Sequence, residues 1–534
     1  MLRPSSPPLT RLSEGVAALR GWRRAALAVC AGALSVLSFA PLHLFPVLFL
    51  TLPVLVWLID GSGDAKSAGF AGWWYGFGYF LFNLFWIGEA FLVEADKFAW
   101  ALPFAVTLLP AGMALFWALA TGLAKRFWCT DARRVIVLAI TMALTEWVRG
   151  HVLTGLPWNV LGYALTYPLP LMQSAALFGV YALSVPVVLI FTLPLVGLAN
   201  AKAGTGAVSL RRALGIAVLP LALLYGYGTW RLEAQPGETV AGVKIRIVQP
   251  SVPQREKWLP EKQRDIFAEH LDLSATAPDG RRDDLAGITH VIWPEAAMPF
   301  LPLEHKDALE AIGRLLPDGT TLISGALRRQ RAEDGHQLGY NSIMAFDSDG
   351  RLIATYDKTH LVPFGEYLPL APLLNALGLE KLTHGLGAFD SGPEPRPVLT
   401  ITGLPPAGGL ICYEVLFPGA VIDDVHRPDV LINVTNDGWF GDTSGPRQHF
   451  YQARVRAVEE GLPLLRAANN GVSAVVDPYG RISALIRLNQ KGVIDSPLAK
   501  PAPLTPYAWL RDYILAIFIA TLMAGLLLRR HSWV

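Results

Sequence analysis

Residues 408–418 read GGLICYEVLFP. The run is apolar, short and bounded by Gly and Pro, which is the pattern of a strand buried on both faces. It ends on Cys412, with Tyr413 and Glu414 directly behind. The chain has only two other cysteines, Cys30 and Cys129. A cysteine in this position is either a small buried hydrophobe or a thiol in use. Which it is depends on what the neighbouring strands carry.

Similar runs extend on both sides: VKIRIVQPS (243–251), THVIWPEAAMP (289–299), TTLISGAL (320–327), NSIMAFD (341–347), LIATYDKTHLVPFGEYLP (352–369), DVLINVTNDGWFG (429–441), PLLRAANNG (463–471) and SAVVDPYGRI (473–482). Each is rich in β-branched residues and closes on Gly, Pro, Asn or Asp. Helical patterns lie between some of them, as at Glu261–Leu273 and Arg447–Glu460. Fully apolar strands predict sheets covered on both faces, hence an α/β domain over 231–500. Three strands end in a reactive residue: Glu295, Lys358 and Cys412. A carboxylate can take a thiol's proton, and an ammonium can favour the thiolate and then an oxyanion.

Outside this domain the chain changes character. Charged residues are only 16% of the 534 residues and mean hydropathy is +0.37, too apolar for an ordinary soluble globule. A net charge of +2 gives no reason to invoke nucleic acid. The apolar blocks are Ala25–Phe39, Leu42–Ile59, Gly69–Leu92, Ala99–Leu123, Val135–Val148, Leu169–Ala199, Ala213–Trp230 and Tyr507–Leu528. They predict a bundle of eight transmembrane helices, with a membrane domain over 1–230 and a last span with its tail over 501–534. Arg3, Arg11, Arg20, Arg23, Arg24, Lys66, Lys125, Arg126, Arg133, Arg134, Lys202, Arg211, Arg212, Arg529 and Arg530 all fall on one side if the spans alternate. That side is cytoplasmic, along with both termini, and the α/β domain lies outside, in a bacterial periplasm. The alternative for the first block is a cleaved signal peptide ending at SFA (38–40), against which Pro41 and the next apolar block argue. On this topology Cys412 is the only exported thiol and has no disulfide partner.

The segments WPEAAMP, YDKTHLVPFGEYLP, GGLICYEVLFP and NVTNDGWFGDTSGP resemble the signatures of the nitrilase, or carbon–nitrogen hydrolase, superfamily. With eight spans, HLVPFGEYLP and TGLPW (154–158), the chain resembles its membrane-embedded branch, the apolipoprotein N-acyltransferases. The resemblance implies a nitrilase-like αββα sandwich. It implies that Cys412 is the nucleophile, Glu295 the general base and Lys358 the oxyanion-stabilising cation. Glu366 matches an additional glutamate near the lysine, Asn341 an asparagine lining the site, and Tyr413 and Glu414 the residues after the cysteine. Asn436, Trp439 and Glu459 also match, although structural roles in loops and helix ends explain them equally well. Trp158 and Trp258, the latter in REKWLP (255–260), either meet lipid or serve as interfacial anchors.

Bland alternatives stand beside these. Glu295 can be a surface carboxylate, Lys358 can pair with Asp357 on a solvated face, and Glu366 can merely hold the lysine. The leucine-rich stretch 360–382 reads as an apolar flap beside a bilayer, or as a folded lid. His290, His305, His336, His360 and His384 lack ligand spacing, and no phosphate-cradling glycine loop appears, so no metal or cofactor is expected. The implied reaction moves an acyl chain from a phospholipid donor, through a thioester on Cys412, to the α-amine of a diacylglyceryl-cysteine apolipoprotein acceptor. The expected partner is the lipid bilayer, the site opens toward its outer leaflet, and the protein is a monomer. Two rivals are a tethered amidase of small soluble amides and a transporter. For the latter, Asn83, Glu89 and Glu146 are polar groups in the spans but form no paired series.

Overall fold

The computed structural model describes residues 8–199, 209–235, 237–369 and 388–528. From residue 370 on, the expected flap lies outside the described residues, as do Lys202, Arg529 and Arg530. Two compact units emerge. One comprises residues 1–86, 103–235 and 505–534, the other 87–102 and 236–504.

The first unit is helical. Four helices of the chain are long and apolar enough to cross a membrane: 95–126, whose residues 95–102 group with the second unit, 133–154, 174–199 and 210–233. Phe45–Asp60 and Tyr513–Leu528 are apolar but shorter. Several of the expected spans have other bounds than drawn. The first becomes Gly21–Ser35, followed by a 3-10 turn at Val36–Ser38. The third, drawn as Gly69–Leu92, is Ala65–Leu84, and residues 87–102 group with the second unit. Helices Gly21–Ser35 and Ala65–Leu84 pack closely because glycines let their backbones meet. A Cβ on Gly32 would lie 1.9 Å from the Tyr75 carbonyl oxygen, and one on Gly78 would lie 2.2 Å from that of Val29. Glu146, one of the polar groups noted in the spans, is a buried partner of Arg149 at 2.7 Å. It also accepts from Trp117 Nε1 at 2.7 Å. An i,i+3 pair on one helix face is hard to see against an apolar background, and desolvation is what forces it to close.

The second unit holds two six-stranded sheets. The first runs β12(Gly492–Ala499)–β1(Thr239–Gln249)–β2(His290–Trp293)–β3(Thr321–Arg331)–β4(Gln337–Phe346)–β5(Leu352–Asp357). The second runs β11(Ile482–Ile486)–β10(Ser473–Val476)–β9(Leu464–Ala468)–β8(Val430–Thr435)–β7(Ala407–Ile411)–β6(Val398–Leu399). Neighbours β1–β2–β3 and β7–β8–β9 are parallel.

Side chains alternate across each sheet with period two. Ile245, Ile247, Ile292, Ile323 and Ile343 meet Ile411, Ile432, Val434, Leu465 and Val475 in one core between the sheets. Val291, Trp293, Leu322, Met344 and Phe346 face the other way, onto helices Gln263–Ser274 and Lys306–Leu315. Leu410, Leu431, Leu464 and Val476 pack under helix Ser444–Glu460 through Ala453 and Ala457. The result is the expected αββα sandwich.

Candidate active site

Every reactive residue of interest follows the carboxyl end of a strand. Glu295 comes two residues after β2, Lys358 directly after β5, and Cys412 directly after β7. Parallel strands all point the same way, so the loops leaving β2 and β7 carry chemistry without disturbing the core. Cys412 has φ +50°, a left-handed conformation that a side-chain-bearing residue adopts only when its surroundings impose it. It opens a short 3-10 turn, Cys412–Leu416.

Glu295 is 9% exposed. Its Oε1 accepts from Asn341 Nδ2 at 2.8 Å and its Oε2 from the Asn436 backbone N–H at 2.8 Å. Asn341 Nδ2 also donates to Glu366 Oε1 at 3.1 Å. Lys358 is buried and is clamped by both oxygens of Glu366, at 2.9 and 2.8 Å. The exposed Asp357 pairing considered for Lys358 is therefore replaced. Asp357 instead accepts from Arg328 Nε at 2.7 Å and from Ser342 at 2.7 Å.

The three groups feel one another's charge. Burial pushes the Cys412 thiol up, the Glu295 carboxylate adds to that, and Lys358 opposes it. Burial likewise raises Glu295, with Lys358 pulling it back. Burial works against the Lys358 ammonium, yet Glu366, Glu295 and Cys412 together hold it above its ordinary value. At neutral pH the sulfur keeps its proton, next to a carboxylate of raised proton affinity. That is a base and an acid matched for transfer.

The remaining sequence-derived residues divide. Glu414 is fully buried and acts as a knot. It accepts from Tyr356 Oη at 2.9 Å, the backbone N–H groups of Thr359 and His360 at 2.9 and 3.0 Å, that of Ile411 at 2.7 Å, and Arg396 at 2.8 Å. It thereby ties the loop after β7 to the loop after β5. Tyr413 is half-buried, its ring 5.0 Å from Phe417 and 5.6 Å from His360. Asn436 belongs to the site through its bond to Glu295, and its side chain donates to Gln254 Oε1 at 2.7 Å. Trp439 is half-buried in the turn Asp437–Phe440. Glu459 sits fully buried inside helix Ser444–Glu460, paired with Arg456 at 2.5 Å. Trp258 is half-buried. Trp158 belongs to the helical unit, is 2% exposed and packs on Trp86 at 4.4 Å. It is a core residue, not a surface anchor, because its loop folds back onto the helices. Arg149, for example, donates to the Trp158 carbonyl oxygen at 3.2 Å.

Sequence reasoning missed a second layer. Ligand atoms of Cys412, Asp437 and His449 all lie within 4.8 Å of one another, the one such grouping among the described residues. The ring nitrogens are engaged: Nδ1 with Asp437 at 2.8 Å and Nε2 with the Cys412 carbonyl oxygen at 3.1 Å. Arg466 adds its own charge at 2.9 Å from Asp437. Burial would raise Asp437, but Arg466 and His449 bring it down to about 2. With a guanidinium occupying the carboxylate, this group fits a brace under the Cys412 peptide better than a cation site. Lys257 was also missed. It is 2% exposed, with Nζ 2.9 Å from the Glu295 carbonyl oxygen. Standing beside Arg255 and Glu256 in sequence, it reads as one of several solvated charges.

Comparison with known proteins places both parts. A family model described as apolipoprotein N-acyltransferase N-terminal domain matches residues 31–193, and one described as carbon-nitrogen hydrolase matches 244–499. An apolipoprotein N-acyltransferase of Rhodopseudomonas palustris is 44% identical over 98% of this chain and 98% of its own. One of Brucella melitensis is 41% identical over 97% and 98% respectively. A solved amidase of the nitrilase superfamily from Nesterenkonia is 20% identical, covering 53% of this chain and 99% of its own with a TM-score of 0.36, too low to carry an argument.

Proposed function

The chain belongs to the apolipoprotein N-acyltransferase family, and we propose that it performs the family's reaction by a two-step, ping-pong path through Cys412. The protein is an acyltransferase of lipoprotein biosynthesis with a carbon–nitrogen hydrolase domain. In the first step Glu295 takes the thiol proton while the sulfur attacks an ester carbonyl of a phospholipid, at the sn-1 chain. Lys358 balances the oxyanion. The C–O bond breaks, the proton passes to the departing lysophospholipid, and the acyl group stays as a thioester. In the second step the α-amine of the diacylglyceryl-cysteine attacks the thioester, the C–S bond breaks, and Glu295 conveys the amine's proton to the sulfur. The products are an amide and the free thiol.

The observation that carries this reading is the shared electrostatics of Glu295, Lys358 and Cys412 at three strand ends. Glu366 holds the lysine, and Asn341 bridges both glutamates.

The same reading places the protein in the bacterial inner membrane as a monomer with eight spans. The membrane part is 1–230 and 501–534, both termini are cytoplasmic, and the catalytic domain of 231–500 is periplasmic. Supporting this are the one-sided basic residues and the four long apolar helices. Tethering suits the chemistry. Both substrates sit in a bilayer, and extracting acyl chains costs ~0.8 kcal/mol per CH₂.

Mass spectrometry of the protein after exposure to phospholipid tests the scheme. An acyl adduct on Cys412, discharged by a diacylated lipopeptide as triacylated product, is expected. An adduct discharged only by water, or none, refutes it.

A further inference from the structure

The centre contains a second buried ammonium that the scheme above does not use. Lys257 lies in the turns between β1 and helix Gln263–Ser274. Its Nζ donates to the Glu295 carbonyl oxygen at 2.9 Å and lies 6.0 Å from the Trp258 ring centroid. Among the described residues no other acceptor meets it, so two of its three N–H groups lack a partner. Burying an ammonium with one hydrogen bond is unfavourable, and such groups persist where their charge is used.

Two facts say where the charge acts. The groups that favour charged Lys257 against its burial are Glu295 and Cys412. Reciprocally, Glu295 is held toward its ionised form by Lys257 as well as by Lys358. The peptide it grips is also unusual, since Ala296, directly after the bonded carbonyl, has φ +45°. Lys257 therefore holds a strained peptide on which the Glu295 side chain depends.

A charge count gives the reason for a second cation. Lys358 is neutralised by its clamp with Glu366. Two ammoniums, Lys257 and Lys358, against two carboxylates, Glu295 and Glu366, leave the centre at zero while the thiol is protonated. Without Lys257 the centre would hold one excess negative charge before the sulfur attacked anything. A site that must develop an oxyanion works against such a charge.

We propose that Lys257 is a positioning cation of the reaction, gripping the Glu295 backbone and supplying the positive charge that lets the Glu295 carboxylate and the Cys412 sulfur share a low-dielectric site. The inference rests on the roles given to Glu295 and Cys412 above. Burial brings Lys257 down to about 8, with Glu295 and Cys412 opposing, so its charge is present at neutral pH and lost above it. The other titratable group facing it is His270, from helix Gln263–Ser274. Burial first, then Lys257, brings it down to about 4, so it is neutral in this range.

The test follows thioester formation from phospholipid vesicles by the full-length protein in detergent, from pH 6 to 10, with no lipopeptide present. The acceptor's own amine, which titrates near pH 8, is thereby left out. In the wild-type protein the rate should fall as pH rises through about 8. Lys257→Met should be slower by about 10- to 100-fold at pH 7, as expected when a buried charge facing the reacting groups is removed, and should lack the limb near 8. Lys257→Arg keeps its charge across the range. It should recover most of the rate, with its alkaline fall moved beyond pH 10, and it serves as the deciding variant if the Met protein does not fold. A wild-type rate that does not fall near pH 8, or equal rates and equal profiles in Lys257→Met or Lys257→Arg, would overturn the proposal. Absence of any Cys412 adduct in the wild-type protein would instead overturn the scheme on which it rests.

Discussion

Glu295 and Glu414 are both buried carboxylates just past the carboxyl end of a strand in the same unit, yet they behave oppositely. Burial raises both. At Glu414 the Arg396 guanidinium, Lys358 and the backbone N–H groups of His360 and Ile411 overcome burial and hold it below the ordinary carboxylate range. At Glu295 two neutral donors and more distant ammoniums do not, and it stays above that range. A saturated carboxylate is a fastener. An under-satisfied one keeps an appetite for protons, which is what a base needs.

The contrast breaks first at its reactive end. Glu295→Gln should cut thioester formation by about 10²–10⁴-fold while the thermal midpoint moves little. In the wild-type protein activity needs the ionised carboxylate, so the acid limb of the pH–rate profile should lie above ~4.3, the ordinary glutamate value. A limb at or below that value would show that Glu295 is as saturated as Glu414.

Glu414→Gln should do the reverse. It strands the half-buried Arg396 and several buried donors, costing about 3–5 kcal/mol of stability, read by denaturant or thermal unfolding in detergent. Any protein that remains folded should still form the adduct. A stable but inactive Glu414→Gln would move Glu414 from fastener to participant.

Asp437 extends the fastener class and gives it a pH signature. Its folded value of about 2 lies below the ordinary 3.8, so its contribution is present in full above about pH 4 and is lost as pH falls toward 2. That difference amounts to about 2.5 kcal/mol. Unfolding measured across that window should steepen in the wild-type protein and flatten in Asp437→Asn.

The smallest effect sharpens the comparison from the other side. Asn341→Ala removes one donor from Glu295, while Asn436 keeps the other. A net hydrogen bond of about 1 kcal/mol corresponds to roughly a fivefold loss of rate, with the acid limb moving further up. A downward move would mean that Asn341 does not set the proton affinity of Glu295.

Much of this was legible in the chain. Alternating and continuous apolar runs are local signals, and they located β1, β2, β7 and β8 and the reactive residues at their ends, because burial on one or both faces writes itself into residue order. The edge strand β6 is only two residues long and went unread, because so short a run carries no periodicity. The third span was drawn too long because Phe85–Leu92 is as apolar as the helix before it, and only packing decides that residues 87–102 join the other unit.

What the residue order determined by itself was the class of protein, the strand ends that bear Glu295, Lys358 and Cys412, and the presence of a membrane part. These depend on composition and on spacing along the chain. What only the tertiary structure decided was how charges far apart in sequence satisfy one another. Glu414 is saturated by Arg396, Arg466 pairs with Asp437, and Lys257 joins the centre through the Glu295 carbonyl. Electrostatic energy depends on distance through a low-dielectric interior, and that distance exists only once the two sheets have closed on each other.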